Sequence, residues 1–133
     1  MSILLDTHIW ISWLLDNGRL SAVERSELGR FAERGETALA AISLWEAQVL
    51  HAKRRLILDR PFDRWLRDAT APGVVELLPL GVEVVLALDD LPASFHGDPA
   101  DRLIVATARA HAMPLATHDA AIRRSRAAKL WKP

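Results

Sequence analysis

The sequence predicts an α/β fold built on a parallel sheet of four to five strands. Three observations lead there. Short apolar runs alternate along the chain with stretches whose apolar residues recur at helical spacing. That alternation is the pattern of a parallel sheet with helices on both faces. Half of the 133 residues are hydrophobic, enough for one domain of this length to bury a core. No repeat, low-complexity tract or long linker divides the chain, so a single domain over residues 1–133 is expected.

Ile3-Leu4-Leu5 reads as a buried strand ending at Asp6. A helix follows from His8 to Leu15, carrying Ile9, Trp10, Trp13 and Leu14, and Asn17-Gly18 stops it. Ser21 and Glu24 form a capping-box pattern that opens a helix to about Glu33, ended by Gly35. Thr37 to Ile42 reads as the second strand. Ser43-Leu44-Trp45-Glu46 repeats the capping-box pattern and starts a helix to about Arg54. Pro61 marks the next helix start, with Phe62, Trp65 and Leu66 on its apolar face, and Pro72-Gly73 breaks it. Val74 to Leu78 is the third strand and Val82 to Leu88 a short helix. Asp98-Pro99-Ala100-Asp101 opens a helix to about Ala112. Leu115-Ala116-Thr117 is the fourth strand, Asp119 to about Arg126 the last helix, and Leu130-Trp131 a candidate fifth strand. Trp10, Trp13 and Trp45 are core candidates; an exposed Trp10 or Trp13 would point to a protein contact.

Composition narrows the chemistry. The absence of cysteine excludes disulfides, zinc-thiolate sites and cysteine nucleophiles. No apolar stretch is long enough to span a bilayer, and Met1 to Asp6 lacks the features of a signal peptide, so a cytoplasmic protein is expected. Seventeen basic and 17 acidic side chains cancel. Nucleic-acid binding would therefore need local charge, for which Lys53-Arg54-Arg55 and Arg123-Arg124-Ser125-Arg126 are the two clusters; each also reads as a solvated helix end. No Gly-x-Ser-x-Gly or P-loop pattern is present.

Asp6, Glu46, Asp101 and Asp119 each fall at a strand-to-helix junction or just inside the helix. In a parallel α/β sheet such junctions gather at the carboxyl ends of the strands, where a crevice opens. Each acid has an ordinary explanation too. Asp6 and Asp119 can cap helices, and Glu46 can close its capping box. Asp98 suits an N-cap before Pro99, and Asp101 then favours the helix dipole. The argument for a site is joint: four junctions carry an acid on one sheet edge, with hydroxyls at Thr7, Ser43 and Thr117 nearby. Clustered carboxylates repel unless protons or cations compensate, and a hard cation with oxygen ligands, Mg²⁺ or Mn²⁺, is the simplest compensation.

These segments resemble the PIN domain, in particular the ribonuclease toxins of VapC type. Leu4-Leu5-Asp6-Thr7-His8 is similar to the family's first strand and first acid. Ser43-Leu44-Trp45-Glu46 is similar to its second, helix-borne acid. His96 to Ile104 resembles the segment carrying the third, and Thr117-His118-Asp119 the fourth. One departure is Ala100, where many relatives place a bulky aromatic.

The resemblance implies a three-layer α/β/α fold and Mg²⁺- or Mn²⁺-dependent endonucleolytic hydrolysis of RNA. It implies Asp6 and Asp101 as principal metal ligands, with Glu46 and Asp119 binding directly or through water. Asp101 is favoured over Asp98, which would be a cap or an outer acid. Thr117 would support a ligand, with Thr7 and Ser43 beside it. Arg102 would position a phosphate or pair with Asp98 or Glu46. His118 has a minor claim, and His8, His51, His96 and His111 weaker ones. The implied partners are an RNA such as tRNA or rRNA and a small antitoxin whose tail covers the groove and inserts an arginine. A homodimer or a toxin–antitoxin hetero-oligomer is the implied assembly. The alternatives are a PIN domain serving only as a binding module and a receiver-like signalling domain. A receiver would want a lysine on a late strand, and none lies near Thr117; an aspartate-nucleophile phosphatase would want an aspartate where His8 stands.

Overall fold

The computed structural model describes residues 1–95 and 97–133. His96, in the segment of strongest resemblance, lies outside the described residues. The sheet consists of β1 (Ile3–Leu5), β2 (Thr37–Ala40), β3 (Glu76–Leu78) and β4 (Leu115–Ala116), all parallel, in the spatial order β3-β2-β1-β4. Seven helices are formed among the described residues: α1 (Thr7–Leu15), α2 (Ala22–Glu33), α3 (Ile42–Ala52), α4 (Phe62–Ala69), α5 (Val82–Asp89), α6 (Pro99–Ala110) and α7 (Ala120–Ser125). None is long and apolar enough to cross a membrane.

Strand periodicity builds the layers. Ile3 and Leu5 point into one apolar cluster with Trp10, Leu39 and Trp65, while Leu4 points into the other with Leu78, Ile104, Val105 and Leu115. Both faces of the sheet are thus covered, as an all-parallel sheet requires. In the first cluster the Trp10 and Trp65 rings lie 5.4 Å apart, and Trp10 Nε1 donates to the Ala69 carbonyl at 3.0 Å. This buried pair ties α1, the helix that begins beside Asp6, to the end of α4.

Local chemistry sets most element ends. Ser21 and Glu24 form the full reciprocal capping box of α2. Asp98 caps α6, accepting from Asp101 N at 2.7 Å, with Pro99 in the first turn. Asp16 (φ 49°) and Gly18 (φ 80°), both in the left-handed region, end α1.

Five expectations need correction. The second strand ends at Ala40 rather than Ile42, because Ala41 already has helical angles, φ −54° and ψ −32°. For the same reason the Ser43–Glu46 capping box does not form: Ser43 lies inside α3, and no side chain caps that helix. The third strand begins at Glu76, since Val74 and Val75 donate their backbone N–H groups to Ala71 in a turn. Leu130 makes a single parallel bridge to Leu115 instead of a full strand. Trp45, expected in the core, is 57% exposed. It sits midway between Ser43 and Ala47, which face inward, so helical geometry turns it outward.

Candidate active site

Strand order places the site. From β1 the chain crosses to β2 on one side, and β4 later joins on the other. The carboxyl ends of β1 and β4 therefore flank a switch point, where a parallel sheet opens a crevice. Asp6 leaves β1 there, and Thr117 to Asp119 leave β4 beside it.

Asp6 is 3% exposed, yet both its oxygens are satisfied. Oδ1 accepts from Thr7 N at 2.8 Å, which also caps α1, and Oδ2 accepts from Thr117 Oγ1 at 2.6 Å. Thr117 Oγ1 in turn accepts from Asp119 N at 3.0 Å, so one hydroxyl locks the first and last acids together. Asp119 also caps α7 by accepting from Ile122 N at 2.8 Å. On the other flank, Thr7 Oγ1 donates to Glu46 at 2.5 Å and lies 2.7 Å from Ser43 Oγ. Thr7 has one hydroxyl proton, so when that proton goes to Glu46 the Ser43 hydroxyl must donate to Thr7. The Ser43–Glu46 spacing that suggested a cap is instead used to aim Glu46 at the crevice.

Burial and mutual repulsion act on the acids together. Burial raises the Asp6 carboxyl; the Thr117 hydrogen bond works against this and Asp119 adds to it. Burial likewise raises Glu46, opposed by Thr7 and reinforced by Asp6 and Asp98. Asp101 is pushed up to about 7, first by burial and then by the charges of Asp98, Asp119, Asp6 and Glu46. None of these five carboxylates has an ion-pair partner among the described residues.

Among the described residues, no three His, Cys, Asp or Glu side chains stand close enough to hold an ion jointly. The acids are neighbours around a crevice rather than a closed cage. Their chemistry nonetheless fits a hard divalent cation. The donors are all oxygen, they are crowded and unneutralised, and a cation beside Asp101 would relieve the repulsion that, with burial, pushes its carboxyl up.

The remaining expected residues fall as follows. Arg102 Nη1 donates to the Phe95 carbonyl at 3.0 Å, and no ion pair to Asp98 or Glu46 is found among the described residues. His118 Nε2 lies 2.6 Å from Glu24, and the residue also lines the cleft in front of Asp6 and Asp119. Ala100 is buried in α6. Two residues carried little or no signal in the sequence. Arg19 and the exposed His8 line a cleft of about 230 Å³ with Asp6 and Asp119. Arg19 follows a glycine in a connection, where no periodicity points to it.

The PIN domain family model matches residues 3–127. This chain belongs to the PIN domain family. Ribonuclease VapC22 of Mycobacterium tuberculosis (strain ATCC 25618 / H37Rv) is 36% identical over 126 residues, covering 94% of this chain and 92% of that protein. Among solved structures, VapBC2 from Rickettsia felis, bound to a DNA fragment from their promoter, superposes with a TM-score of 0.74 at 18% identity and covers 98% of both chains. FitAcB from Neisseria gonorrhoeae gives 0.70 at 23% identity, over 98% of this chain and 96% of that one. At such identities these two likenesses speak for the fold, the three-layer PIN architecture.

Proposed function

We propose that this PIN domain is a metal-dependent endoribonuclease and the toxin of a toxin–antitoxin pair. The observation that carries the proposal is that Asp6, Glu46, Asp101 and Asp119 feel one another's charge at the carboxyl ends of the strands, with no ion-pair partner among the described residues. The 36% identity to a ribonuclease over nearly the whole chain supports the substrate class. Kinship with VapBC2 and FitAcB supports an antitoxin as partner.

Asp6 and Asp101 would be the principal ligands of Mg²⁺ or Mn²⁺, with Glu46 and Asp119 binding directly or through water. Bound there, the cation supplies Lewis acidity and positive charge to a phosphoryl group under attack. The chain supplies the rest. Thr117 holds Asp6 and Asp119 in register, and Ser43 and Thr7 orient Glu46. Glu46 or Asp119 then orients the attacking water and takes its proton. Asp98 stays outside this set as the α6 cap.

The test is cleavage of end-labelled RNA, tRNA included, by wild type and Asp101→Asn, each with Mg²⁺, Mn²⁺ or EDTA. Metal-dependent cutting by wild type, lost in the variant, is the expected result. Wild type that binds metal but cuts no RNA would leave a binding module in place of a nuclease.

A further inference from the structure

A groove of about 660 Å³ begins at His8 on the lip of the acid crevice and runs along α1 to the 55–60 segment. Its floor includes Ile11 and Leu56, and Arg19, Arg55 and Arg60 stand around it. Arg19 lines both this groove and the cleft in front of Asp6 and Asp119. The two spaces share His8, Ser12 and Arg19, and so adjoin.

The three arginines differ in their commitments. Arg60 is held by Asp59 at 3.1 Å and Asp68 at 3.3 Å, and it serves as a wall. Arg19 and Arg55 are exposed, and neither has an ion-pair partner among the described residues. Their backbones are nevertheless fixed. Arg19 follows Gly18 at φ 80°, and Arg55 follows Arg54 at φ 57°, with Arg55 N donating to the Leu50 carbonyl at 2.8 Å. Asp59, the acid on this groove, is already paired with Arg60.

The acid crevice poses an electrostatic problem for a nuclease. Its substrate is a polyanion, and the site is a cluster of carboxylates in a chain of zero net charge. Cations beside the site, rather than spread over the surface, attract the strand where it must lie. We propose that Arg19 and Arg55 hold the RNA phosphates next to the scissile bond along this groove. This inference rests on the ribonuclease reading and gives the strand its path. The same groove could receive an acidic peptide; RNA is favoured because the groove opens onto the acids and shares Arg19 with them.

The experiment uses a labelled oligonucleotide spanning a site that wild type cuts in total RNA. Arg19→Gln, Arg55→Gln and the double variant are compared with Arg34→Gln, which lies at the opposite edge of the sheet beside Glu36. Each groove substitution should raise KM about fivefold, with kcat within about twofold, as for an exposed charge pair. The slope of log KM against log salt should fall by about 0.7 for each phosphate that is no longer neutralised. Arg34→Gln should change neither. Unchanged KM and slope in the double variant, with wild type active, would overturn the proposal. So would the same result accompanied by weakened binding of a labelled oligoglutamate peptide, which would assign the groove to a protein partner. Wild type that cuts no RNA would remove the ribonuclease reading, and this inference with it.

Discussion

Asp101→Asn should stabilise the metal-free protein while abolishing its function. The Asp101 carboxyl is held at about 7 against an ordinary 3.8, by burial and by four neighbouring carboxylates. At about 1.4 kcal/mol per tenfold, ionising it in the folded protein would cost up to about 4 kcal/mol. Asp101 is partly exposed, so solvent screening reduces this to about 1–2 kcal/mol. The side chain makes no hydrogen bond among those described, so an amide of the same shape forfeits none; the α6 cap uses the Asp101 backbone N–H instead. The sign follows from linkage. A carboxyl whose pKa is raised on folding binds more protons folded than unfolded between 3.8 and about 7, so wild type loses stability as pH rises through that window. The advantage of Asp101→Asn should therefore grow from about pH 4 to about pH 7 and then level off. Urea unfolding in EDTA across that range, read as the change in midpoint at constant slope, measures it. A variant no more stable than wild type at about pH 8 would refute the claim that the acids strain the site.

Three further outcomes follow from the same geometry. Thr117→Val removes the donor to buried Asp6 and the acceptor for Asp119 N; it should cost about 1–3 kcal/mol in urea unfolding and lower kcat for RNA cleavage. A Cβ at Gly97 would strike the Phe95 ring and come within 3.1 Å of Asp101 Cβ; Gly97→Ala should lose about 1–3 kcal/mol by thermal unfolding and weaken metal binding through the displaced Asp101. Trp45→Ala, on the exposed face of α3, should change stability by less than about 0.5 kcal/mol, whereas Trp65→Ala in the core should cost about 3–5 kcal/mol.

Much of this was legible in the sequence because local rules and the global fold agree. The apolar triplet Ile3-Leu4-Leu5 and the Asp98-Pro99 cap carry their structural meaning within a few residues. The alternation of strands and helices dictates the parallel topology, and the topology in turn gathers the acids. What misled was chemistry that two structures can share. Ser43 and Glu46 have the spacing of a cap, but α3 begins earlier, and both side chains turn to Thr7, 36 and 39 residues away in the chain. Trp45 carries no local mark of which helical face will be buried; that depends on where the helix meets the sheet. Arg19 reaches the crevice from a connection, where periodicity says nothing, and His8 from the exposed side of the first turn of α1. Arg102 illustrates a tertiary preference over charge pairing: the Phe95 carbonyl lies within reach and takes its guanidinium.

Whether the four acids act as one cation site is tested most directly by titrating Mn²⁺ into wild type and Asp6→Asn. Bound ion is counted by electron paramagnetic resonance, and melting is followed in parallel. Wild type should bind Mn²⁺ and melt at a higher temperature as the metal concentration rises, by linkage. Asp6→Asn should lose both effects while remaining folded. Binding in the variant equal to wild type, or no binding in either, would contradict a shared cation site.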